Sequence, residues 1–203
     1  NKELSKHSGT FALSYRDAAT GDQITINGRE LFHAASTMKT PVMMEVFKQA
    51  AAGRFKLTDS IRIKNEFKSI VDRSSYSLDP KDDSEFTLYE QLGRKRTIQD
   101  LVYLMIIASS NLATNLVIEW VGAKEVTGTM RSLGLNDIEV LRGVEDGKAF
   151  AKGWNNKVTA LDLMHLFDKM AVGQLINKES SEKMITILRD QKYRDIIPAL
   201  LPS

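Results

Sequence analysis

The chain has no cysteine among its 203 residues. That excludes a disulfide scaffold, zinc–thiolate sites, iron–sulfur clusters and a cysteine nucleophile. It says little about compartment, because exported proteins also do without disulfides. Long hydrophobic runs are missing as well: no apolar stretch approaches the ~20 residues of a membrane-spanning helix. An excess of one charge is missing: 28 Lys and Arg against 26 Asp and Glu leave +2. So even a balance argues against a dedicated nucleic-acid or membrane-surface protein. No signal peptide opens the chain, which begins NKELSKHSG; either the numbering starts after processing or the protein stays inside. What is present is ordinary globular composition, 42% hydrophobic and 27% charged, and not that of a disordered or fibrous protein. The length fits one medium domain, or two small subdomains sharing a core.

Periodicity divides the chain unequally. Phe11, Leu13 and Tyr15 alternate with small or polar residues, as do Ile24 and Ile26, and a turn-rich segment with Gly21 lies between them. This predicts a β-hairpin, marginal alone, that needs a helix or further strands to cover it. After it the apolar spacing turns helical. Helices are expected from Ser36 to Gly53, after Thr97, after Asn111 to Gly122, over 123–133, from Thr159 to near Gly173, and over 178–190. Thr97 with Asp100 and Thr159 with Asp162 read as capping boxes. Residues 62–96 read as irregular and charged, and 141–158 lack periodicity. The expected fold class is α+β: a mostly helical body with a small N-terminal antiparallel hairpin. The hairpin part is placed at 1–35 and the helical part at 36–203.

Much chemistry has no visible motif. His7, His33 and His165 lie in neither a G-x-S-x-G nor an H-E-x-x-H context, and there is no phosphate-binding glycine loop. Asp79, Asp82, Asp83 and Glu85 do not fit calcium-loop spacing and read as a solvated loop. One pattern remains. Ser36-Thr37-Met38-Lys39 is S-x-x-K at a helix start, where residues three apart share a face and Lys39 Nζ can reach Ser36 Oγ. A serine hydroxyl is a poor nucleophile until a neighbour takes its proton, and a buried lysine with a depressed pKa can do so. Backbone N–H groups at the helix start suit an oxygen that becomes anionic. Alone the pattern is weak, since 16 serines and 17 lysines yield about one match by chance. The second match, Ser180 to Lys183, reads as a surface cap. A further polar cluster, Ser109-Ser110-Asn111, sits between two apolar helices, where its side chains either line a cleft or cap the next helix.

With those residues in place, the chain resembles the class A β-lactamases and related penicillin-recognising hydrolases. FHAASTMKTPV at 32–42, IIASSNLATNLVIEWVG at 106–122 and LRGVEDGKAFAKGWNNKVTALDL at 141–163 carry the resemblance, in the family's order. It implies a β-lactamase/transpeptidase-like fold and hydrolysis of β-lactams through an acyl-serine. Ser36 is then the nucleophile, Lys39 takes part in moving its proton, and Ser109 relays that proton to the leaving nitrogen. Asn111 holds the substrate's acyl side chain and Lys39. Glu145 is the best match for the base of deacylation, with Asp146 the other candidate. The resemblance implies no cofactor and no metal, a β-lactam as the small-molecule partner, no nucleic acid, and a periplasmic or secreted location; a monomer is the expectation. Tyr76 and Trp154 are open as cleft residues, with packing favoured for Trp154. Three departures stand out. Ser110 replaces the Asp of S-D-N, the loop lacks the E-x-x-L-N spacing after Glu145, and no K-[ST]-G follows residue 163. The last implies a chain truncated before the strands that complete the oxyanion hole and the substrate carboxylate anchor. The alternatives are a penicillin-binding or peptidase-like protein that deacylates slowly, and a non-catalytic helical fragment.

Overall fold

The computed structural model describes residues 4–196 and 199; the first three residues and most of the IIPALLPS end lie outside them. The body is built around one buried helix. Its first turn is tight, a 3₁₀ turn over Ala35–Met38, which runs directly into α1 (Lys39–Ala51). Pro41 sits within the first α-helical turn, where a missing N–H costs least. The helix ends before Gly53, whose φ of +74° suits a residue without a Cβ. Most of α1 is buried, including Val42, Met43, Met44, Val46 and Phe47.

Four helices enclose it: α2 (Ile98–Ile107), α3 (Asn111–Val121), α4 (Ala123–Ser132) and α7 (Lys178–Arg189). Between the last two come α5 (Gly147–Ala151) and α6 (Ala160–Ala171). The cap residues explain the boundaries. Thr97 Oγ1 accepts from Asp100 N at 3.1 Å and Thr159 Oγ1 from Asp162 N at 3.2 Å; such caps stabilise a helix by about 1 kcal/mol each. For α7 the cap is Asn177, accepting from Ser180 N at 2.8 Å. The second S-x-x-K match therefore lies inside that helix instead of capping it, and Ser180 and Ser181 are buried.

Strands are short and paired in twos among the described residues, all antiparallel. β1 (Leu13–Arg16) and β2 (Gln23–Ile26) form the expected hairpin, with Leu13 opposite Ile26 and Tyr15 opposite Ile24. β3 (Phe32–His33) pairs with β8 (Lys157–Val158), and β4 (Ser60–Arg62) with β7 (Lys95–Thr97). β5 (Phe67–Lys68) pairs with β6 (Ser75–Tyr76), so residues 62–96 are more ordered than their composition suggests. A helix does cover the hairpin: α6 lies against it through Leu161 N to Gly28 O at 2.9 Å and an Arg16–Asp168 ion pair. It takes the face of Ser14 and Thr25. Leu13, Tyr15 and Ile24 stay 47%, 50% and 56% exposed on the other.

The acidic segment corrects an expectation. Asp83 and Glu85 are buried between two 3₁₀ turns, Pro80–Asp82 and Phe86–Gln91; they are not part of a solvated loop. No helix among the described residues is long and apolar enough to cross a membrane.

Candidate active site

Ser36 stands in the 3₁₀ turn that precedes α1, entered from β3 through Ala35 at a left-handed φ of +44°. The backbone N–H of Ala35 donates to His33 Nδ1 at 3.0 Å, which ties the turn to the strand. Lys39 is the first residue of α1 and is 2% exposed. An ammonium buried that deeply needs its donors filled. Lys39 Nζ donates to Ser109 O at 2.5 Å, Ser109 Oγ at 3.0 Å and Asn111 Oδ1 at 3.1 Å. Those three acceptors use all three donors. The direct Lys39–Ser36 bond that helical spacing suggests is therefore replaced by a relay. Ser109 Oγ receives a hydrogen bond from Lys39 and donates to Ser36 Oγ at 2.9 Å. Burial lowers the Lys39 pKa to about 8, while the charges of Asp83 and Glu145 act the other way.

The α2–α3 junction presents these acceptors because its polar residues divide the roles that the sequence left open. Ser110 caps α3, accepting from Ala113 N at 3.2 Å. Ser109, at a φ of +56°, turns its hydroxyl toward Ser36. Asn111 bridges two charged groups, accepting from Lys39 on Oδ1 and donating from Nδ2 to Glu145 Oε1 at 2.6 Å. Only one orientation of its amide satisfies both partners.

Glu145 and Asp146, adjacent in sequence, face different surroundings. Asp146 is buried and bound to the scaffold: Ser69 Oγ and Ala149 N donate to Oδ1 at 2.9 and 3.1 Å, and Ile70 N to Oδ2 at 2.9 Å. Glu145 has a φ of +60° and faces Asn111 and the Ser36 cleft. Burial raises its pKa, against the hydrogen bond from Asn111. The nonperiodic segment around it is held by side chains that mimic backbone. Asn115 accepts from Val144 N at 2.7 Å and donates to Val144 O at 3.1 Å. Asn156 accepts from the N–H groups of Leu141 and Arg142 and donates to Arg142 O. A Cβ on Gly143 would lie 2.2 Å from Asn115 Oδ1, so only glycine fits there.

The cleft so formed has a volume of about 360 Å³ and is walled by Ser36, Asn111, Glu145, His33 and Phe150 among others. Neither Tyr76 nor Trp154 lines it. Tyr76 backs the loop, its hydroxyl donating to Val144 O at 3.3 Å, and Trp154 is partly exposed beside Lys152. Among the described residues no cluster of His, Asp or Glu is arranged to hold a metal. All five residues singled out in the sequence, Ser36, Lys39, Ser109, Asn111 and Glu145, meet here. Asp83, Asn115 and Asn156 were missed. A polar residue inside an apolar helix was the only available signal for Asn115.

A helical body around a buried helix, with the S-x-x-K serine at its start and a polar helix junction opposite, defines the β-lactamase/transpeptidase-like fold. The family model described as the β-lactamase enzyme family matches residues 1–203, and the chain belongs to that family. Among curated relatives, β-lactamases CARB-4 and PSE-4 of Pseudomonas aeruginosa are each 22% identical, over 98% and 97% of this chain. The chain spans 65% of the length of each. A β-lactamase from Sphaerobacter thermophilus superposes with a TM-score of 0.79 at 28% identity, over 95% of this chain and 68% of that one. PBP-A superposes at 0.76 with 22% identity, over 95% and 66%.

Proposed function

We propose that the protein is a class A-like serine β-lactamase that opens the β-lactam amide through an acyl-serine at Ser36. The observation that carries this reading is the continuous relay from the buried Lys39 through Ser109 to Ser36, beside Glu145 in one cleft. With Lys39 neutral, both hydrogen bonds of the relay reverse. Ser36 gives its proton to Ser109 Oγ as Ser109 passes its own to Nζ. Ser36 Oγ then bonds to the ring carbonyl carbon, whose oxygen becomes anionic near the Ser36 N–H. Collapse breaks the C–N bond, and Ser109 returns a proton to the departing nitrogen. Glu145 next takes a proton from water, whose oxygen attacks the ester carbon; the bond to Ser36 Oγ breaks, and the proton on Glu145 passes to that oxygen, restoring the hydroxyl and the carboxylate. A periplasmic or secreted location and a monomeric state belong to the same proposal.

One feature favours slow deacylation as the second reading. Ala149 stands four residues after Glu145, where the E-x-x-L-N pattern has an amide, so that position offers no side-chain hydrogen bond for the deacylation step. A mutant of PBP-A, one of the proteins with a similar fold, is known as an acyl-enzyme complex with penicillin G.

The test uses the full gene product, a chromogenic β-lactam and intact mass. Turnover is the expected result. A persistent adduct on Ser36 would select the second reading. Neither turnover nor adduct, or full activity in Ser36→Ala, would refute an acyl-serine at this position.

A further inference from the structure

The departure at Ser110 leaves the S-x-N segment without its carboxylate, yet the structure places one at the same helix start. Asp83, from the segment between two 3₁₀ turns, is 8% exposed and directs both oxygens inward. Its Oδ2 accepts from Leu112 N at 2.8 Å, Asn111 N at 2.9 Å, Tyr89 OH at 3.0 Å and Ser110 Oγ at 3.4 Å. Its Oδ1 accepts from Glu85 N at 3.1 Å. Five neutral donors therefore fix this carboxylate. Two of those donors are the first N–H groups of α3, including that of Asn111, whose side chain holds Lys39 and Glu145.

We propose that Asp83 is a positioning residue for acylation. From a separate segment it supplies the carboxylate that Ser110 omits, fixing the 109–111 turn so that Ser109 and Asn111 meet Lys39. The proposal rests on the acyl-serine reading above. Its charge also reaches the amine: Asp83 and Glu145 are the two carboxylates that oppose the lowering of the Lys39 pKa. Tyr89 keeps its proton and donates, since burial and Asp83 raise its pKa. Removal of Asp83 would leave two helical N–H groups and a buried phenol without an acceptor.

The experiment measures the rate of Ser36 acylation by intact mass, across pH, in Asp83→Asn, Ser110→Asp and the double variant of the full gene product. Asp83→Asn is expected to slow acylation roughly ten- to a hundredfold, the scale of a displaced catalytic group. The rate rises with pH as Lys39 loses its proton. Loss of a negative charge near Lys39 moves that rise to lower pH. Ser110→Asp alone crowds two carboxylates at one helix start and is also slow. The double variant restores the rate and the pH midpoint, because the carboxylate returns from the neighbouring chain position. An unchanged rate and midpoint in Asp83→Asn would overturn the assignment. So would a double variant no faster than the single. If Asp83→Asn does not fold, the double variant decides: recovery of folding and acylation supports the proposal, and failure of either overturns it. Absence of an adduct in the unaltered protein would instead refute the acyl-serine reading.

Discussion

The α2–α3 junction and the N-terminal hairpin are opposite cases of the same chemistry. At the junction a lysine, two serines and an asparagine are buried or half-buried, and each polar group has a partner. In the hairpin the apolar face of Leu13, Tyr15 and Ile24 is open, while the face of Ser14 and Thr25 meets α6. Ser14 Oγ is buried there without a partner. The junction holds its geometry through hydrogen bonds that fail together. The hairpin holds through cross-strand pairs and one helix contact. Substitutions should therefore be severe at the first and mild at the second.

The largest effect tests the junction. Lys39→Met is expected to lower Ser36 acylation about 10²- to 10⁴-fold, the usual worth of a positioned base. In the unaltered protein acylation should rise with pH to a midpoint near 8, where Lys39 becomes neutral; Lys39→Met should abolish that rise. Its melting temperature should fall, because methionine leaves Ser109 O, Ser109 Oγ and Asn111 Oδ1 without the donor that each now has. A rate within a few fold of the original would show that the junction is scaffolding. Glu145→Gln comes next. Acylation should persist while the lifetime of the adduct, followed by mass, increases about 10²-fold or more. An unchanged lifetime would move the base elsewhere. Gly143→Ala is smaller: its Cβ collides with Asn115, and a stability loss of about 1–3 kcal/mol is expected from overpacking, read in denaturant titration. Ile24→Thr should change stability by less than about 0.5 kcal/mol, as exposed substitutions do. A larger loss would mean that the open face of the hairpin is covered in solution.

The same contrast governs what the sequence could show. Helix limits were legible because each has a local sign, such as Thr97, Thr159, Gly53 and Gly122. The hairpin was legible from alternation, but which face the helix takes was not, since α6 arrives from more than a hundred residues away. The S-x-x-K residues and Ser109, Asn111 and Glu145 were reachable through the order of matched segments. The relay was not, because it depends on where the 2.5 Å bond to Ser109 O pulls the amine. Asp83 was hidden by its neighbours: Asp79, Asp82 and Asp83 are one composition, and only the fold buries one of them. Between Glu145 and Asp146, backbone donors from Ile70 and Ala149 separate the two, and neither is visible in a linear sequence.

Ala35, Ser109 and Glu145 share a backbone state that residues with a Cβ rarely adopt, with φ of +44°, +56° and +60°. Each such residue costs of order 1–3 kcal/mol; Ala35 and Glu145 line the Ser36 cleft, and Ser109 bonds to Ser36 itself. The folded chain carries that tension before any ligand arrives. Heat resistance and competence therefore pull apart at these positions: a library selected for thermal survival alone would drift toward relaxed backbones there and lose the alignment of hydroxyl, amide and carboxylate.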